Sequence, residues 1–372
     1  MIANTNKELK LIEKAAYDFS RKELWPEREE NDKFPFGPFF DASLKKAYDL
    51  DFFHSILPET YGGIGQGIST LCVILENICR EDSSLGGIIF TNSAAYEILI
   101  ESGSEEILKK LTESADQVNK FLIAFPVFSD PSQVRHMLKA TKGNDGYELS
   151  GSMEYLVLGS IANQAIVPAR IQGTDSYSFF LVDLKGKGVK VSSPIHSLGL
   201  HSCPAVDLTL SNTPGKLLGQ EGQGQTYFKK MVDRLSVAAA SMATGIMKGS
   251  FKEAMDYTKE RSQGGRKIIN WSEVKLMLAN MSIKIKNAEM SVAKACQALD
   301  TKESGWKECS RAAALLTQET ACDITTDGIQ VMGGVGFMKD FGQEKRFRDA
   351  KHIQAVFGIT PVKKIKHFEE LL

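Results

Sequence analysis

GQEGQGQTYFKKMVDRLSVAAASMATGIMKGSFKEAMDYTKERSQGG, from Gly219 to Gly265, organises the chain around it. It opens on a glycine-rich turn, Gly219 to Gly224, and closes on Gly264 and Gly265, with no proline between. The interior is rich in good helix formers, which predicts one helix far longer than an ordinary one. Apolar side chains at Phe228, Met231, Val232, Leu235, Ala238 and Ala239 recur at i+3 and i+4, so one face is buried. From Ala238 to Gly245 the residues turn small, which lets another backbone come close. Asp233 and Arg234 lie in the apolar part of this rod, Glu260 and Arg261 at its far end. A carboxylate among apolar residues is costly unless partnered or used. Asp233 is therefore either held by a neighbouring arginine or a working group.

Beyond the rod, 271–299, 306–333 and 341–372 read as three further helices, which makes 219–372 a C-terminal four-helix bundle. Upstream the pattern changes to strand-like runs at 120–125, 137–142, 147–150, 164–171, 178–182 and 189–191. Gly143-Asn144-Asp145-Gly146 and Gly186-Lys187-Gly188 punctuate them, predicting a central antiparallel β domain, sandwich or barrel, over 116–218. Residues 1–115 read as an N-terminal helical domain. Its helices are broken at Pro26, at 34–38 and at Leu57 to Gly65, a turn-rich insert that cannot be helix. The expected fold is mainly α with a β domain in the middle.

Composition narrows the function. Of 372 residues, 42% are hydrophobic and 24% charged, the balance of an ordinary folded protein. Lys and Arg number 45 against 46 Asp and Glu, so neither nucleic acid nor an anionic membrane is the expected main partner. The six cysteines show no C-x-x-C spacing and the six histidines no ligand spacing, so no metal site is expected, and a reducing compartment fits. Lys7, Glu8, Lys10, Glu13 and Lys14 interrupt any signal-peptide pattern, and no apolar run is long enough to span a bilayer. A cytoplasmic protein is expected.

LPETYGGIG (Leu57 to Gly65), LLGQEGQG (Leu217 to Gly224) and Arg234 with its trailing alanines carry a resemblance. ERSQGG (Glu260 to Gly265), QVMGGVGF (Gln330 to Phe337) and RDAK (Arg348 to Lys351) continue it. In this order, over nearly the whole chain, they resemble the acyl-CoA dehydrogenase family. The resemblance implies an FAD flavoprotein that oxidises an acyl-CoA thioester to the trans-2-enoyl-CoA. A carboxylate takes the α-proton, the β-hydrogen leaves as hydride to the flavin, and electrons pass to an electron-transfer flavoprotein. Such chemistry needs a base within reach of the α-carbon and donors aimed at the thioester oxygen.

The departures from the family pattern are informative. Aligned on RDAK, the usual base glutamate is Phe357, which takes no proton, although its backbone N–H remains a thioester donor. Some family branches carry the base immediately before the arginine that matches Arg234; here that residue is Asp233. It is one methylene shorter than glutamate, roughly 1.5 Å of reach, and a misplacement of about 1 Å costs on the order of a hundredfold in rate. The family wraps the flavin ring of its own subunit with T-E-P-x-A-G-S-D and W-I-T. Here these positions hold Ala124 to Asp130, one residue short, and Tyr155-Leu156-Val157, so both ring-binding hydroxyls are missing. The half that the family supplies to the neighbouring subunit's FAD is largely present: Arg261, Gln263, Gln330, Gly333, Gly334 and Gly336. Gly264 replaces its phenylalanine. Arginine suits a diphosphate, and glycines let backbone N–H groups approach one. Ser129 and Arg234 match positions near the substrate.

Three functions stay open at this point. One is a homomeric acyl-CoA dehydrogenase with Asp233 as base. Another is a subunit of a heteromeric dehydrogenase that completes the FAD site of a paralogous partner. The last is a family fold repurposed for non-redox acyl-CoA chemistry or binding. Loss of one half-site with retention of the other is the pattern the heteromer predicts. The acyl chain is not legible.

Overall fold

The computed structural model describes residues 2–34, 40–113, 118–143 and 146–372. Its N-terminal helices are α1 (Ile2–Phe19), α2 (Phe40–Asp49), α3 (Ile68–Cys79), α4 (Ser83–Glu101) and α5 (Glu105–Glu113). Every residue of α4 from Ser83 to Leu99 is buried. Asp82 caps it, accepting from the Ser84 N–H at 2.8 Å. The Leu57 to Gly65 insert makes only a single 3-10 turn, Glu59–Tyr61, and closes with the Gly65 N–H on the Leu57 carbonyl at 3.2 Å. The expected boundary at 115/116 and the turn residues Asn144 and Asp145 lie outside the described residues.

Seven strands follow: β1 (Ile123–Ala124), β2 (Leu138–Gly143), β3 (Gly146–Val157), β4 (Gln164–Ile171), β5 (Tyr177–Asp183), β6 (Val189–Val191) and β7 (Ala205–Leu218). Pairings β4–β2, β2–β3, β3–β7, β7–β5 and β5–β4 return on themselves, so five strands close a barrel, with β1 and β6 on its margins. Most pairs are antiparallel as expected, but β4 lies parallel to β1 and β2. Three expectations are corrected. β7 escapes the pattern because Asn212, Pro214 and Gly215 interrupt its alternation. β3 runs to Val157, well past residue 150, through register shifts at Leu149/Gly151 and Met153/Leu156 that scramble the period of two. Residues 120 and 121 end a short helix, Val118–Phe121, because the continuous apolar run there carries no period at all.

The rod is α6 (Gly224–Glu260), unbroken over 37 residues. Its small-residue segment does allow close approach: a Cβ on Gly245 would lie 2.3 Å from the Glu76 carbonyl oxygen of α3. Around it pack α7 (Ser272–Asp300), α8 (Trp306–Met332), α9 (Gln343–Ile353) and α10 (Thr360–Glu369). The expected final helix, 341–372, is thus two. Phe357 and Gly358 take positive φ, 61° and 112°, and Pro361 starts α10, so the chain turns between them.

Candidate functional site

Asp233 on α6 is 1% exposed. Its partner comes from α8: Arg311 Nη1 donates to Oδ1 at 2.8 Å and also binds Glu370, just past α10. Burial raises the Asp233 carboxyl above the usual aspartate range, and Arg311 opposes that shift. Oδ2 has no hydrogen-bond partner among the described residues, nor has Arg311 Nε. Both residues face a cavity of about 110 Å³ walled by Phe228, Val356, Phe357 and α10. That is less than the roughly 300–1,000 Å³ of pockets that hold molecules of drug size, and α10 forms one of its walls. Several bonds hold α10 in place. Lys366 Nζ reaches Asp130 at 2.6 Å, and Lys363 Nζ donates to the Gln354 and Val356 carbonyls at 2.8 and 2.9 Å. Burial lowers the Lys363 ammonium to about 8.

The Phe357 turn meets the strand motifs directly. The Phe357 N–H, expected as a thioester donor, donates to the Val127 carbonyl at 2.8 Å. The Phe357 ring packs at 5.5 Å from Phe90 and 6.2 Å from Phe228, centroid to centroid. His352 of α9 accepts from the Tyr155 hydroxyl at 3.0 Å and packs at a tilt against Phe128, 4.7 Å between ring centroids. Burial holds its imidazole below the usual histidine range and the Tyr155 phenol up at about 12. Neutral His352 then donates from Nδ1 to the Gly199 carbonyl at 2.8 Å. Non-bonded atoms need about 3.5 Å on each face of a ring, so no ring lies between the Phe357 N–H and the Val127 carbonyl while this 2.8 Å bond stands. Ala124 and Val157, at the two positions where the family sets ring-binding hydroxyls, are fully buried.

The far end of α6 is different. Arg261, Gln263, Gln330, Gly333 and Gly334 line one cavity of about 710 Å³, with Trp271 and Glu273 of the α7 start. The Arg261 side chain is exposed and makes no ion pair among the described residues. A Cβ on Gly333 or Gly334 would meet nothing within 4 Å, so this backbone is open to a ligand. These groups fit a diphosphate. Gly336 does not line this cavity: it is buried, and a Cβ there would lie 2.5 Å from the Ile329 carbonyl oxygen.

The two expected substrate residues are placed elsewhere. Ser129 Oγ donates to the Pro126 carbonyl at 3.1 Å, inside its own turn. Arg234 Nη1 pairs with buried Glu97 of α4 at 3.1 Å. Neither lines the Asp233 cavity, whereas Asp130 does. Arg311 and His352 carried no sequence signal. Trp271 carried one, the departure at Gly264. Among the described residues no helix is long and apolar enough to cross a membrane, and no group of three or more His, Cys, Asp or Glu could hold a metal.

Family models match in two blocks. Residues 6–115 match the acyl-CoA dehydrogenase N-terminal domain and 222–365 the acyl-CoA dehydrogenase C-terminal domain. The chain is 30% identical to the 3-(aryl)acrylate reductase of Clostridium sporogenes, covering 97% of this chain and 98% of that one. It is 28% identical to caffeyl-CoA reductase-Etf complex subunit CarC of Acetobacterium woodii, with 96% of each covered. A chain solved with the electron transferring flavoprotein of Acidaminococcus fermentans as its subject superposes with a TM-score of 0.89 at 27% identity, covering 98% of this chain and 97% of that one.

Proposed function

The chain belongs to the acyl-CoA dehydrogenase family, and on that premise we propose that it works as the supporting subunit of a heteromeric, FAD-dependent acyl-CoA dehydrogenase. The observation that carries this reading is the contrast between its two half-sites. At the ring-binding positions Ala124 and Val157 offer no hydroxyl and the Phe357 N–H is taken by Val127, while Arg261, Gln263, Gln330, Gly333 and Gly334 share an open cavity. General decay would have damaged both. When bound, FAD supplies the acceptor for the β-hydrogen of an acyl-CoA. This chain's part is to hold the diphosphate of a cofactor whose ring lies in a paralogous partner. Arg261 contributes charge and a planar fork, and the open space over Gly333 and Gly334 lets the phosphates come close to the backbone, although the Gly333 N–H itself is spent on the Gln330 carbonyl. The relative named as an Etf-complex subunit supports an electron-transfer flavoprotein as the electron acceptor.

The chain purified alone is expected to carry little flavin, and the co-expressed pair about one FAD per two chains. Arg261→Ala should lower the FAD content of the pair although the ring lies in the other subunit. A yellow homo-oligomer with one FAD in each chain removes the reading. The homomeric alternative, with Asp233 as base, is favoured by one observation: Oδ2 on the small cavity accepts no hydrogen bond and has only the Lys307 ammonium beside it, at 3.9 Å.

A further inference from the structure

Gly264 stands where the family has an aromatic residue, and the structure shows what fills that space. Gly264 and Gly265 both take positive φ, 60° and 78°, forming the turn between the two-residue strands Ser262–Gln263 and Arg266–Lys267. A Cβ on Gly264 would lie 2.9 Å from Cζ2 and 3.6 Å from Cη2 of Trp271. The indole therefore occupies the room a side chain at 264 would take. It is held from two directions: the Arg266 guanidinium sits 3.6 Å from its ring centroid, and its Nε1–H points at the Gln263 carbonyl, 3.4 Å away. Half-buried and covered on one face by Arg266, Trp271 lines the same cavity as Arg261, Gln330 and Gly333.

We propose that Trp271 is the aromatic platform of this cavity, on which the adenine of an adenosine diphosphate stacks while Arg261 takes the phosphates beside the open Gly333–Gly334 backbone. This rests on the half-site reading and specifies it. A cavity of about 710 Å³ accommodates that moiety. The flat apolar ring and the exposed cation both line it, as a nucleotide with a π-face and a diphosphate requires. Glu273 and Gln330 add acceptors for ribose hydroxyls. Relocating the aromatic side chain from 264 to 271 also accounts for a glycine at 264. Both FAD and coenzyme A carry an adenosine diphosphate end; the half-site reading assigns this one to FAD, and the titration separates the two.

The test is calorimetric titration of the full chain with ADP, with FMN and coenzyme A as competitors. ADP should bind, FMN should not compete, and coenzyme A should compete at least tenfold less well than ADP. Trp271→Leu keeps an apolar side chain without a π-face and should weaken ADP by about tenfold or more, while Trp271→Phe stays within about threefold. A second measurement does not depend on how Trp271 variants fold. With Trp25→Phe and Trp306→Phe, Trp271 is the sole tryptophan, and ADP should quench its emission. ADP affinity unchanged in Trp271→Leu, no quenching, or coenzyme A binding as tightly as ADP each overturns the proposal. Failure of the half-site reading is seen separately: quenching together with one FAD in every chain of a homo-oligomer rejects the heteromer and leaves the platform standing.

Discussion

At the scale of single residues, Asp233 shows what a sequence discloses about charge and what it withholds. Its cost was legible, since an acid in an apolar stripe must be partnered or used. The identity of its partner was not. Residues i and i+1 of a helix point about 100° apart, so Arg234 reaches Glu97 on α4 while Arg311 arrives from α8. The same residue separates two of the functions. Asp233→Asn keeps the shape but removes the negative charge. If Asp233 is the base of a homomer, turnover falls to background while acyl-CoA binding persists. If the chain supports a partner's site, turnover of the co-expressed pair is unchanged, which is the outcome expected here. Stability provides an independent check. Because burial raises the native Asp233 above its ordinary 3.8, the wild type gains stability as pH falls through that raised value toward 3.8, and the Asn variant lacks this gain. At pH 7 the two should lie within about 1 kcal/mol in urea, since a lost charge-assisted bond offsets a relieved buried charge. Relative to the variant, the wild type should then improve as the pH is lowered from 7 toward 3.8.

At the scale of elements, the turn between α9 and α10 decides the chemistry. The aligned position told us that Phe357 is no base. It did not tell that the Phe357 N–H is already spent on Val127, because that bond joins segments far apart in sequence. Likewise, the strands hidden by bulges and by Pro214 could be placed only once their partners were in view. Two features of Phe357 oppose each other. Its positive φ of 61° costs of order 1 kcal/mol, whereas its ring buries against Phe90 and Phe228, worth roughly 3–5 kcal/mol on truncation. Packing wins, so the phenylalanine is a built feature of this turn. Phe357→Glu restores the family's carboxylate but sets it among aromatic rings and leaves the N–H tied to Val127. We expect this variant to show no acyl-CoA-dependent dye reduction by the chain alone, and an unfolding midpoint lowered by the equivalent of about 2 kcal/mol or more. Turnover in Phe357→Glu alone would mean that the bond to Val127 opens and that the chain holds flavin by itself.

At the scale of the whole molecule, the three-part order of helices, barrel and bundle was legible because each part has its own periodicity and the motifs recur in family order. What the sequence left open is which surface is not a surface. Leu276, Ile283 and Met290 are spaced by seven along α7 and each is about 60% exposed, at 63, 60 and 59%. Phe337, 73% exposed, follows the Gly333–Gly336 turn at the edge of the FAD-half cavity. Glu273 and Val274, a turn before Leu276, line that cavity. An apolar stripe two helical turns in repeat is a seam for another helix, and large exposed apolar side chains of this kind mark interaction faces. Subunit association and completion of the dinucleotide site are therefore expected to share one face and to fail together. Ile283→Asp puts a carboxylate into the seam, whose desolvation inside an interface costs several kcal/mol, while the monomer exposes the position and should fold as before. Sedimentation velocity of the co-expressed pair should then show dissociation, with unchanged far-UV circular dichroism and FAD lost in parallel with assembly. A substitution of the same kind at Leu198, exposed in the β domain away from this stripe, should leave both intact. An Ile283→Asp pair that stays assembled and keeps its flavin would move the interface to another face and break the link between association and the Arg261 cavity.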